Sequence, residues 1–171
     1  MSGNARFAET RYELSLPGGA TFIATPLDPA DGRHLGEVFA GLDPWAAYGY
    51  PAAALSHFLA ANEPPAPRFA MHVGGELAGA IVIRPGWLRG PYLQFLGVVP
   101  AYQRRGLGSA VLAWMEREGR SAKDRNLWVA VSEINTDAQR LYERHGYKQV
   151  AHLDDLAWDG RAEILMRKRL A

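Results

Sequence analysis

Apolar and polar positions alternate with a period of two on either side of Pro17-Gly18-Gly19 in "RYELSLPGGATFIATPL", which predicts a short hairpin. The period then lengthens, and Leu35, Val38, Phe39 and Leu42 in "DPADGRHLGEVFAGL" fall at helical spacing. "DPWAAYGYPAAALSHFLAAN" reads as a loop leading into a second short helix, and "EPPAP" as a connection. Residues 1–10 read as a mobile tail ahead of one domain spanning 11–171.

From about residue 69 strands dominate. "RFAMHV" and "ELAGAIVIR" flank Gly74-Gly75, a strong hairpin signal. "PYLQFLGVVP" is nearly all apolar, which predicts a third strand buried on both faces. A helix follows, with Leu107, Val111, Trp114 and Met115 on one side. "NLWVAV" is a further strand. "TDAQRLYERHG" is a helix with Thr136 and Gln139 spaced as a capping box and Gly146 as its stop. "YKQVAHL" and "AEILMRKRL" pair as the last strands around Asp159-Gly160. No repeat, low-complexity block or linker interrupts the order. The fold class is α/β, of the mixed α+β kind: one domain whose sheet is largely antiparallel at its ends, with flanking helices.

Composition narrows the function. The chain has 171 residues, 48% hydrophobic and 22% charged, with a net charge of +1, which suits one compact core and selects neither nucleic acid nor a membrane surface as partner. The halves differ slightly: residues 1–90 carry a net −2 and residues 91–171 a net +3. With no cysteine there is no disulfide, thiolate metal site or cysteine nucleophile. No run is long enough to span a bilayer, and "MSGNARFAETR" lacks the apolar centre of a signal peptide, so a cytoplasmic location is expected. Neither G-x-S-x-G nor H-E-x-x-H occurs and the five histidines are scattered, so hydrolase and metalloenzyme readings lack residues and no metal is expected. Five tryptophans and seven tyrosines leave material for an aromatic pocket once the core is filled.

The candidate chemistry lies in "VVPAYQRRGLGSAVLAW". A helix that starts after a buried strand offers unpaired N–H groups and the positive end of its dipole, and Gly106 and Gly108 remove side chains at that point while Arg104 and Arg105 add charge. Position 111 is Val and no Gly-Lys-Ser/Thr follows, so the turn is neither a dinucleotide fingerprint nor a Walker loop. Gln103-Arg104-Arg105-Gly106-Leu107-Gly108 resembles instead the Q/R-x-x-G-x-G/A signature of the Gcn5-related N-acetyltransferase (GNAT) family. "NTDAQRLYERHGY" resembles that family's later motif, with Asn135, Ala138, Tyr142, Gly146 and Tyr147 at matching positions. The resemblance covers about residues 69 to 170 well, and residues 11–68 by element order.

The resemblance implies a fold in which the strands "FLGVV" and "NLWVAV" run parallel at the centre of the sheet and splay apart. Acetyl-CoA is the implied co-substrate. Its pyrophosphate would rest on Gln103, Arg104, Arg105, Gly106, Leu107, Gly108 and Ser109. Its pantetheine arm would pair with backbone at Leu96, Gly97, Val98 and Val99, and Asn135 and Ala138 would flank it. The Val98 N–H is the candidate oxyanion donor. Tyr142, which would also contact the cofactor, is the candidate catalytic acid toward the departing thiol. The implied reaction moves acetyl to a primary amine, a peptide N-terminus or a small molecule, by direct attack on the thioester.

The base stays open. Ala130 occupies the strand position where related enzymes often place Glu, and Gln94 does not accept a proton at neutral pH; Glu133, His72 and Asp137 remain. Trp45, Tyr48, Tyr50, Trp87 and Trp158 are candidates for an acceptor groove and equally for packing. The other reading of the same fold is a non-catalytic acetyl-CoA sensor. A homodimer is compatible with either.

Overall fold

The computed structural model describes residues 6–170. Eight strands form one sheet: β1 (Tyr12–Ser15), β2 (Thr21–Pro26), β3 (Arg68–Val73), β4 (Glu76–Trp87), β5 (Gly90–Val98), β6 (Asn126–Ser132), β7 (Lys148–Asp154) and β8 (Ala162–Arg169). Their spatial order is β1-β2-β3-β4-β5-β6-β8-β7, so the last strand in sequence lies inside the one before it. Every neighbouring pair is antiparallel except β5 and β6. The parallel pair is joined by α3 (Leu107–Ser121), as a parallel connection requires. α1 (Pro29–Ala40) and α2 (Ala52–Ala60) precede β3, and α4 (Thr136–Arg144) follows β6.

Two apolar cores lie on opposite faces of the sheet. On one, Leu107, Val111, Trp114 and Met115 of α3 pack against Ile81, Ile83, Leu93, Val129 and Met166. This is the helical face the spacing predicts. On the other, Leu35 and Phe39 of α1 and Leu55 and Leu59 of α2 cover Ala80, Val82 and Phe95. The two helices meet backbone to backbone. A Cβ at Gly36 would overlap the backbone of Ser56, and one at Gly32 the backbone of Leu59. Asp28 caps α1 by accepting from the Ala30 N–H at 2.7 Å, and Pro29 supplies the first-turn geometry.

Within the segment read as a tail, Phe7 is buried with its ring 5.0 Å from that of Trp114. Residues 1–5 of that segment lie outside the described residues. β5 departs from its expectation. Leu93, Phe95 and Gly97 are buried, but Tyr92, Gln94, Leu96 and Val98 are only partly covered. The strand is therefore not buried on both faces. Its apolar run includes positions that line a cavity, which composition cannot separate from core.

Candidate functional site

β5 and β6 are in register only at Tyr92–Trp128 and Leu93–Val129; beyond that the ladder stops and the strands part. A bulge in the β4–β5 pairing between Val82/Ile83 and Leu93/Phe95 leaves Gln94 without an opposite residue. Val99 donates to Ala78 O at 2.9 Å, so strand alternation turns the Val98 and Leu96 amides the other way, into the gap. A cavity of about 1070 Å³ occupies the gap, with walls from Phe58 of α2 on one face and Leu141 and Tyr142 of α4 on the other.

The glycine turn closes one end. Gly106 has φ +85° and stands as the α3 N-cap without a side-chain cap. Among the described residues, the amide N–H groups of residues 104–109 have no protein acceptor; the first helical bond runs from Ala110 to Gly106 O at 3.0 Å. Unpaired donors at the positive end of a helix form an anion site. The reason for each glycine is more specific than open space. A Cβ on Gly106 would meet Pro17 Cδ at 2.5 Å, and one on Gly108 would meet Leu141 Cδ2 at 2.9 Å. The glycines let the β1–β2 turn and α4 close on the loop.

The sequence-predicted residues divide. Leu96, Val98, Gln103, Arg104, Gly106, Leu107, Gly108 and Ser109 line the cavity from the β5–α3 side, and Asn135, Ala138 and Tyr142 from the α4 side. Gly97, Val99 and Arg105 are not among the lining residues. Gly97 turns toward the Phe39 ring, Val99 is bonded to β4, and the Arg105 guanidinium stands 5.2 Å over the Tyr102 ring. Arg104, 90% exposed, has Asp137 at 3.8 Å. Gln103 Nε2 donates to Val98 O at 3.0 Å and braces the strand end. Ser109 Oγ lies 3.0 Å from His145 Nε2, tying the start of α3 to the end of α4.

The helix cap is corrected. Asn135, not Thr136, is the N-cap of α4, its Oδ1 accepting from Ala138 N–H at 3.2 Å. Gln139 reaches the carbonyls of Ser132 and Glu133 at 3.1 and 2.9 Å and forms no reciprocal box. Asn135 thus has one oxygen committed to the cap and an NH₂ left to face the cavity. Tyr142 is buried, and burial, with Tyr92 nearby, pushes its phenol far above the ordinary value.

The acceptor-side aromatics also divide. Trp45, Tyr48 and Tyr50 line the cavity. Trp87 instead bounds a side cavity of about 260 Å³ that shares Tyr92, Ala130 and Leu156 with the main one. Trp158 packs on Tyr50, with ring centroids 5.5 Å apart. Of the proposed bases, Asp137 lines the cavity but is tied to Arg104 and Arg140. Glu133 is exposed and His72 sits on β3, and neither lines it. Glu163 of β8 does line it, opposite Ser132 of β6. Alternation in "AEILMRKRL" puts Glu163 on the face away from Ile164 and Met166, but only the insertion of β8 beside β6 brings it to the cleft.

A profile of the Acetyltransferase (GNAT) family matches residues 35–147. The chain belongs to that family. Among its relatives, Acetyltransferase Atu2258 of Agrobacterium fabrum is 33% identical over 84 residues, 49% of this chain and 57% of that protein. The aminoalkylphosphonate N-acetyltransferase of Salmonella typhimurium is 39% identical over 57 residues, 33% of this chain and 37% of that one. The matched stretch thus spans about half the length of the first relative and about a third of the second. In three dimensions, a GNAT-family acetyltransferase from Desulfovibrio desulfuricans superposes with a TM-score of 0.68 at 23% identity, over 88% of this chain and 98% of the other, a likeness of fold. The GNAT family uses acetyl-CoA. Among the described residues no cluster of three metal-ligating side chains occurs, and no helix is long and apolar enough to cross a membrane.

Proposed function

We propose that this protein is an N-acetyltransferase that moves acetyl from acetyl-CoA to a primary amine by direct attack on the thioester. One observation carries the reading: the parted β5 and β6 strands open a cavity between a turn of unpaired N–H groups and the buried Tyr142 phenol. The donors fit the co-substrate. Amides 104–109 suit a pyrophosphate, the Leu96 and Val98 amides suit the strand-like pantetheine arm, and the Asn135 NH₂ suits its carbonyls. Bound there, acetyl-CoA supplies an activated acyl group.

The chain's own groups do the rest. The Val98 N–H, fixed by β4 and by Gln103 on its carbonyl, donates where negative charge develops on the acyl oxygen. Tyr142 donates its proton to the departing sulfur. In water a phenol near pKa 10 is a weaker acid than a thiol near 8.5. In the cleft the thiolate loses solvation as well, and a raised phenol stays protonated throughout the working range. The walls of α2 and α4 exclude bulk water from the thioester.

The test is thiol release from acetyl-CoA followed with a disulfide dye, a clean readout in a chain without cysteine. Release that requires an added amine supports transfer. Tight acetyl-CoA binding without release, across peptides, polyamines, aminoglycosides and arylalkylamines, supports the sensor reading.

A further inference from the structure

Among the described residues, two partly buried carboxylates show what a paired one looks like here. Glu116 is bonded by Lys168 Nζ at 2.5 Å and Arg120 Nη2 at 2.7 Å; against the cost of burial these bonds hold its carboxyl below the usual range. Asp124 pairs with Arg6. Glu163 differs. It is half-buried in the cavity wall, and among the described residues no lysine, arginine or histidine pairs with it. Burial, with Glu133 adding repulsion, pushes its carboxyl above the ordinary value.

The groups around it are polar or aromatic and carry no positive charge toward it. Ser132 of β6 and Leu153 of β7 are its ladder partners. Tyr50 in the α1–α2 loop and Tyr92 of β5 are close enough for its charge to raise their phenols, after burial itself. The Arg161 guanidinium stands over the Tyr48 ring at 5.2 Å, and Arg84 is bonded to Glu63 at 2.7 Å. Gln94 of β5 also lines this cavity. An unpaired carboxylate in a cavity wall that also carries Tyr50 and Tyr92 suits an ammonium group. The side cavity beyond Tyr92, bounded by Trp87 and Leu165, extends this wall with flat apolar surface.

We infer that Glu163 receives the ammonium of the acceptor and takes its proton, and that the acceptor is a primary amine carried on an aromatic body. The ammonium site stands on its own; the chemical step rests on the acetyl-transfer reading above. In that step R–NH₃⁺ gives one proton to the Glu163 carboxylate. The freed nitrogen lone pair forms the C–N bond at the thioester carbonyl carbon, and the carbonyl electrons move to oxygen beside the Val98 N–H. Their return breaks the C–S bond. The sulfur takes the Tyr142 proton, and the second nitrogen proton restores the phenol. Glu163 then releases its proton to solvent, so the products are R–NH–acetyl, coenzyme A thiol and one H⁺. A carboxyl raised by burial makes a better base than an ordinary one.

The probe is 2-phenylethylamine, with 2-phenylethanol as its uncharged counterpart, titrated calorimetrically into the protein and its E163Q variant, each with and without coenzyme A. Amine affinity is expected to fall at least tenfold in E163Q while the alcohol binds both alike. No amine binding to the parent, or equal binding to both, overturns the inference. With 2-phenylethylamine as acceptor, thiol release by E163Q at pH 7 is expected to fall about 10²- to 10⁴-fold. The deficit should shrink by up to tenfold per pH unit as the amine loses its proton in solution. A deficit that stays parallel across pH overturns the proton-taking role. Acetyl-CoA affinity, measured on both proteins, separates the two readings. If Glu163-dependent amine binding persists where acetyl-CoA does not bind, the transfer reading fails and the ammonium site stands.

Discussion

The Tyr48 hydroxyl and the Ser132 Oγ hydrogen-bond to each other in a buried contact between residues 84 apart in sequence. The bond ties the loop between α1 and α2 to the end of β6, where the strands have parted, and Arg161 covers the outer face of the Tyr48 ring. Either partner alone leaves a buried hydroxyl unsatisfied, which costs about 1 to 3 kcal/mol. Tyr48→Phe and Ser132→Ala should each destabilise the protein by an amount of this order, and the double variant by less than their sum. Urea denaturation of the four proteins measures the coupling; strict additivity would show that the pair does not interact.

Tyr142→Phe keeps the ring and removes the hydroxyl proposed as the proton donor. Turnover should drop about 10²- to 10⁴-fold, with acetyl-CoA affinity within a few-fold of the parent. The raised phenol carries a sign with it. A tyrosine that ionised normally would stop donating near pH 10. Here burial keeps the proton in place above that point, so the parent's rate should show no descending limb at the ordinary phenol value. A limb at pH 10 that disappears in the Phe variant would contradict the burial argument.

Gly36→Ala sets two effects against each other. Alanine improves helix propensity by about 1 kcal/mol. The added Cβ overlaps the Ser56 backbone, which is not a flexible side-chain end, so α1 and α2 must separate. Such overpacking costs about 1 to 3 kcal/mol, and net destabilisation is expected. Cavity access should widen as well, since α2 carries the Phe58 wall. A stabilised variant by thermal unfolding would mean that the helices have room to part.

E163Q, read as a stability variant, makes a separate prediction. A carboxyl whose folded pKa is raised binds its proton more tightly in the folded state than in the unfolded one. Its charge therefore destabilises the fold above the folded pKa, and the penalty disappears as pH falls through that value toward the unfolded one. Glutamine removes the charge, so E163Q should unfold at a higher temperature than the parent at pH 7 to 8, and the gap should close on acidification. A lower midpoint at neutral pH would show that the carboxylate is stabilised by contacts in the folded state. Greater stability with less activity is the signature of a group held for chemistry.

Much of this was legible in the chain. The helix facing residues Leu107, Val111, Trp114 and Met115 and the hairpin at Gly74-Gly75 follow from period and turn chemistry, which are local. The turn at Gln103–Gly108 was visible as a motif, yet its glycines answer to Pro17 and Leu141, contacts made across the fold. Asn135 and Thr136 are adjacent residues, each able to cap a helix, and only backbone geometry chooses between them. Glu163 was the harder case. Its alternation marks a face, but nothing along the chain says that β8 enters between β6 and β7.

That strand order bears on how the molecule is made. β6 emerges during synthesis long before its antiparallel partner, and β7, though translated earlier than β8, has no other neighbour to pair with. Until β8 arrives, β6 presents an open edge of Leu127, Val129 and Val131, the kind of apolar strand that recruits a second nascent chain. The Glu163 wall of the cleft and the protection of that edge are thus completed by one event. A ribosome that stalls before residue 162 leaves both undone.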